Sequence, residues 1–167
     1  MRRNLVLAAL LCAAAATSFA QLNPVDPDWR EVEAPPPGAL DTRKLIPLEM
    51  PRSSLRFGVA PASISIGADG VVRYVVVASS ASGAVNGLYE GIRCSTGEFK
   101  VYARHNPGSG WVPVKDAQWR SLHENNVSAH SLTIARTGVC IGHGTNQSTS
   151  AIVRDLGGPV DSRFTQP

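Results

Sequence analysis

The residues of this chain with chemical potential are its cysteines, a carboxylate on an apolar strand, and its histidines. Cysteines stand at 12, 94 and 140. Cys12 lies in an N-terminal leader and departs with it, which leaves Cys94 and Cys140. An even pair in an exported chain implies a disulfide. With about 46 residues between the sulfurs, the chain-entropy relation gives about 4 kcal/mol of stabilisation. Metal binding is the competing chemistry, because Cys140-Ile141-Gly142-His143 has a C-x-x-H spacing that Cys94 could join. A structural zinc takes four ligands and the second dyad is missing, so the disulfide is favoured and no metal is expected. Oxidation would equally silence a catalytic thiol.

Leu88, Glu90, Ile92 and Cys94 share one face of a strand by period-two alternation. Glu90 is therefore a carboxylate among apolar neighbours, and a buried charge is costly unless paired. Arg73, on the adjacent expected strand, is the candidate partner in a structural ion pair; Arg93 points to the other face. The alternative is a general acid at Glu90. His105, His123, His130 and His143 have no mutual spacing that demands a metal. There is no nucleophile elbow, phosphate loop, dinucleotide fingerprint or zinc-protease motif. No catalytic set and no cofactor is expected.

These residues lie in an exported chain. Arg2 and Arg3 precede an apolar run from Leu5 to Ala16, and Ser18-Phe19-Ala20 supplies small residues for cleavage between Ala20 and Gln21. The run is shorter than the roughly 20 residues of a membrane-spanning helix, and no second such stretch follows, so the mature chain is expected to have no membrane span. Leu11 before Cys12 is not the small residue a lipobox needs, and the paired arginines lack the flanks of a twin-arginine signal. The full chain has 16 Lys+Arg against 13 Asp+Glu; losing Arg2 and Arg3 leaves 14 against 13. A near-neutral chain has no electrostatic reason to bind nucleic acid or anionic lipid.

The elements that position these residues follow from pattern. Residues 21–53 carry Pro24, Pro27, Pro35-Pro36-Pro37, Pro47 and Pro51, and are expected to be an extended arm, a spacer rather than a recognition segment. Trp29 and the group Leu45, Ile46 and Leu48 are its residues able to dock. Ser63–Ile66 alternates as a strand, Asp69-Gly70 signals a hairpin, and Val71–Ala78 is valine-rich on both faces, the mark of a central strand. Residues 79–87 form a loop. Leu88–Cys94, Glu98–Arg104 (with Phe99, Val101 and Ala103 on one face) and Trp111–Val114 complete a meander of about five strands. Asp116 is expected to start a short helical turn bearing Trp119 and Leu122. Asn125 or Asn126 is expected to cap a helix with Leu132, Ala135 and Val139 inward, in preference to a strand at 132–134. The fold class is α+β: an antiparallel meander with one or two short C-terminal helices and one disulfide. The organisation is a leader at 1–20, an arm at 21–53, a domain at 54–144 and a disordered tail at 145–167.

Several of these residues, taken together, resemble the cryptic neisserial protein-like (CNP-like) family. They are Trp29-Arg30-Glu31 with its following prolines, Arg73-Tyr74, Tyr89-Glu90-Gly91-Ile92-Arg93-Cys94, Val101-Tyr102-Ala103, Trp111, Trp119-Arg120 and Cys140. The Glu-Gly-Ile-Arg-Cys block is the most specific part, and the resemblance covers about residues 29–143. It implies a proteobacterial periplasm or envelope and one small domain, not a mechanism. The sequons at Asn126 and Asn146 then carry no sugar. The expected function is a non-catalytic binding or interaction module whose partner is another envelope protein or component. A small-ligand binder, or a hydrolase of envelope material using Glu90 as general acid, is the alternative.

Overall fold

The computed structural model describes residues 26–124 and 129–159. The leader, the Ala20–Gln21 junction, Cys12 and the cap candidates Asn125 and Asn126 lie outside the described residues. One antiparallel sheet dominates. Its strands are β1 (Ile46–Leu48), β2 (Arg56–Ile66), β3 (Val72–Ser79), β4 (Val85–Arg93), β5 (Glu98–Asn106) and β6 (Gly110–Pro113). They neighbour one another in chain order, and β7 (Arg120–Ser121) pairs with the free end of β5. β3 is buried along nearly its whole length, as its two apolar faces require. Gly70 turns the β2–β3 connection at φ 75°, a conformation glycine adopts without strain.

The helix α1 (Ala129–Ile134) continues into a wider helical turn, Ala135–Val139, in which Cys140 N–H donates to Ala135 O. A small hairpin, β8 (Cys140–Ile141) with β9 (Gly144–Thr145), follows, and then α2 (Thr149–Gly157). No helix among the described residues is long and apolar enough to cross a membrane. The Cys94–Cys140 disulfide is formed, with Cα atoms 5.6 Å apart.

The sheet buries both faces. On one, Val72, Tyr74, Val76, Ile92 and Phe99 pack against Ile134, Val139, Ile152 and Leu156 of the helical layer. On the other, Val75, Val77, Tyr89 and Ala103 pack against Ala34, Leu40 and Leu45 of the N-terminal arm.

Several expectations are corrected. The segment 145–167 is not a disordered tail throughout. Ser148 accepts a hydrogen bond from Ala151 N and caps α2, which buries Ala151, Ile152 and Leu156. Gly138 permits this, because a Cβ there would lie 2.7 Å from Leu156 Cγ. The arm is not a free spacer: it covers the sheet, and its Ile46–Leu48 forms β1. Residues 116–122 form no helical turn; the chain bends at Asp116 (φ 53°) and enters β7. Ala103 does not share a face with Phe99 and Val101. Tyr89 pairs with Ala103 and Glu90 with Val101, so Tyr102 is an extra residue that flips the alternation.

Candidate functional site

The Tyr89–Cys94 block sends its side chains alternately to the two faces, and each face carries a polar cluster. On the helix face Glu90 lies opposite Tyr74 in the β3–β4 register. Glu90 is fully buried. Its Oε2 accepts from Tyr74 Oη at 3.0 Å and from Ser131 Oγ at 3.0 Å. Its Oε1 lies 2.9 Å from His130 Nε2. Burial, then the charge of Glu90 and the bond to it, push the Tyr74 hydroxyl well above its ordinary range, so it remains a donor. With two hydroxyls donating to a carboxylate, the third contact requires Nε2–H of His130 to donate as well.

The expected Arg73–Glu90 pair does not form. Arg73 lies opposite Gly91, one residue out of step with Glu90, and so projects to the arm face. There its guanidinium forks onto Asp69, Nη1 to Oδ1 at 3.2 Å and Nη2 to Oδ2 at 2.7 Å, with both side chains buried. Nη2 also donates to Val32 O at 2.7 Å, and Val32 N donates to Asp69 Oδ2 at 2.9 Å. Burial alone would raise the Asp69 carboxyl, but the donors Arg73, Val32 N and Val71 N outweigh it and hold the group below its usual range. The ion pair is thus a clamp on the arm.

A second clamp centres on Glu31. It accepts from Lys100 Nζ at 2.9 Å, Tyr102 Oη at 2.8 Å and Trp119 Nε1 at 3.1 Å. Burial opposes ionisation of Glu31; these donors and the Lys100 charge overcome it and lower its pKa. Tyr102 reaches Glu31 from the same face as Lys100, two residues before it on β5. Gly91 leaves it room, since a Cβ there would be 2.8 Å from the ring. The Arg93 guanidinium lies 3.7 Å from the centroid of a Trp29 ring, and Trp29 Nε1 donates to Asp69 O.

Beyond Glu31 the arm packs Ala34 against the sheet core and is pinned again where Trp111 Nε1 donates to Gly38 O at 2.8 Å. Between the two pins, Pro35, Pro36 and Pro37 arch over a cleft of about 630 Å³ floored by Tyr89, Lys100, Tyr102 and Trp111. A cleft of similar size lies on the helix face, between the 49–53 connection and α1. His130 forms part of its wall, stacked on Phe57 with ring centroids 5.0 Å apart.

The other histidines are dispersed. His105 meets Trp111 edge-on, and His123 and His143 are exposed. Among the described residues no three His, Cys, Asp or Glu converge as metal ligands. Sequence reasoning missed His130 and Ser131 as partners of Glu90, and Glu31 and Asp69 as arm anchors. The one signal for any of these was the position of Glu31 beside Trp29 in the motif Trp-Arg-Glu.

A family model described as CNP1-like family matches residues 25–157, from the arm to the end of α2. No curated protein and no solved structure matches the chain.

Proposed function

We propose that this chain, which belongs to the CNP1-like family, is an exported, non-catalytic binding module of the bacterial periplasm. Its ligand site is the cleft beneath the proline arch. The observation that carries this reading is that arch: a strap anchored at Glu31 and Gly38 leaves a bridged, aromatic-floored space between its anchors. A volume of about 630 Å³ falls within the roughly 300–1,000 Å³ of small-molecule sites. Aromatic rings and Lys100 together supply stacking area and a charge, the mixture that orients a polar ligand. The partner is an envelope component presenting a small exposed group to this cleft.

The leader and the disulfide support export, since such a bridge persists in an oxidising compartment. The environment of Glu90 supports the non-catalytic reading. The carboxylate is sealed from solvent and both of its oxygens are engaged, so it has no opening through which to protonate a substrate.

The test is a thermal-shift panel of soluble envelope fragments (cell-wall glycan pieces, stem peptides, oligosaccharides) against the mature protein. A ligand raises the melting temperature by mass action. The expected result is a shift that Trp111→Ala removes. No shift across the panel, or one unchanged in Trp111→Ala, would overturn the assignment. Mass spectrometry of protein recovered from the periplasm should show Gln21 as the first residue; retention in the cytoplasm with the leader intact would overturn export.

A further inference from the structure

The lining of the arched cleft is unbalanced in charge and in hydrogen-bonding groups. Given that this cleft is the ligand site proposed above, we infer that the group it receives is a primary ammonium, its charge met by Glu33 and its carbon chain set against the rings of Tyr89 and Trp111. Three observations converge on it. The first is the charge balance. Glu31, Glu33 and Lys100 are the charged residues of the lining, two carboxylates against one ammonium. Lys100 Nζ lies 2.9 Å from Glu31 Oε2, so those two charges meet each other. Glu33 is exposed and has no ion-pair or hydrogen-bond partner among the described residues. The charge left to meet a ligand is therefore negative.

The second is the supply of donors. Tyr102 Oη is spent on Glu31 and Trp111 Nε1 on Gly38 O. Pro35, Pro36 and Pro37 have no N–H to offer. Lys100 Nζ keeps donors in reserve, but an ammonium already matched by a carboxylate is a poor seat for an anion. A ligand ammonium only donates, so it needs acceptors and ring faces, which this lining has. The third is Tyr89. It is 4 % exposed, yet it lines the cleft. Its hydroxyl is neither hydrogen-bonded among the described residues nor sealed from solvent. A buried tyrosine hydroxyl usually has a partner; this one is an acceptor left open to a ligand's donor.

Matched pairs of probes test this by calorimetry on the intact, oxidised mature protein. An amino-acid side chain and an amino sugar both present a primary ammonium, so two pairs are used. One is acetyl-alanyl-lysine amide against its Nε-acetylated form; the other is the glucosamine dimer against the N-acetylglucosamine dimer. An ammonium probe is expected to bind more tightly than its acetylated counterpart by about tenfold or more, the size of one hydrogen bond to a charged group. The pair with the larger ratio identifies the source. Glu33→Gln should remove that preference while leaving the circular dichroism and melting temperature near those of the parent, and Tyr89→Phe should weaken the ammonium probe. Acetylated probes that bind as tightly as the ammonium forms, or a preference unchanged in Glu33→Gln, would overturn the ammonium assignment; if Trp111→Ala still removes that binding, the ligand site itself stands. A neutral or anionic fragment that binds in a Trp111-dependent way while both ammonium probes fail would overturn it likewise. Silence from every fragment and probe would overturn the site and the assignment together.

Discussion

On the helix face of the sheet, a covalent bond from Cys94 to Cys140 and a layer of helix with its own backbone hydrogen bonds close the core. On the arm face the cover is a strap, 26–45, whose run of prolines can donate few backbone hydrogen bonds. It is held by side chains: Glu31 to three donors, Asp69 and Arg73 to the backbone of Val32, Trp111 to Gly38. The same sheet is therefore sealed on one side by a helical layer and a covalent bond, and on the other by a few apolar side chains of the strap and these polar pins. Local stability follows contact density and satisfied backbone, so the arm face is expected to open before the helix face.

The largest expected effect tests the covalent half of the contrast. Replacing both Cys94 and Cys140 by serine should cost about 4 kcal/mol, from the loop the bridge closes. Chemical denaturation measures it, and a loss below about 1 kcal/mol would place the helix layer's stability in packing alone. Next comes Asp69→Ala, which strands the buried Arg73 charge and should cost about 3 kcal/mol. A double-mutant cycle sharpens the point: Arg73 and Asp69 should couple strongly, whereas Arg73→Met and Glu90→Gln should add within about 0.5 kcal/mol. Coupling between Arg73 and Glu90 as large as that with Asp69 would contradict their placement on opposite faces.

A smaller effect is expected at the two carboxylates taken singly. Glu90→Gln replaces an acceptor of three hydrogen bonds in a sealed site and should cost about 2 kcal/mol. Glu31→Gln, at a partly exposed site, should cost about 1 kcal/mol. The two should differ in kind as well. Limited proteolysis should cut Glu31→Gln within residues 30–45 while the sheet core stays intact, and should find no such early site in Glu90→Gln.

The meander was legible in the sequence because its signals are local. Alternation and the Asp69-Gly70 turn act over a few residues, and the cysteine pair needed only counting. The identification of the family rested on the Tyr89–Cys94 block, whose alternation is the two-faced chemistry itself. Tyr89, Gly91 and Arg93 serve the arm face, and Glu90, Ile92 and Cys94 the helix face. What stayed hidden depends on register or on distance along the chain. Arg73 belongs to Asp69 rather than Glu90 because Tyr74, not Arg73, lies opposite Glu90, and no composition argument supplies a register. The partners of Glu31 lie 69, 71 and 88 residues away, so proline content alone suggested a free spacer. The bulge at Tyr102 inserts one residue and reverses the face of everything after it. α2 was missed because its nine residues bury only three, too few to mark a periodicity; Ser148 ahead of Ala151-Ile152 was the available sign.

The smallest effect is a pH dependence confined to the arm. Glu31 and Asp69 both ionise more readily in the folded protein than in the unfolded chain. A carboxyl whose folded pKa is depressed contributes stability that is fully present above its unfolded value, about 4 to 4.5. That contribution is lost as the pH falls through the folded value. Acidification below about pH 4 should therefore loosen the arm first. The three tryptophans report this directly: Trp29 and Trp111 hold the arm, and Trp119 donates to Glu31. Their emission should shift to the red at a higher pH than the loss of the far-ultraviolet sheet signal, and Glu31→Gln should already show part of that shift at neutral pH. If emission and sheet signal instead collapse together in both proteins, the strap is no more separable than the helices, and the two faces are closed by equivalent means.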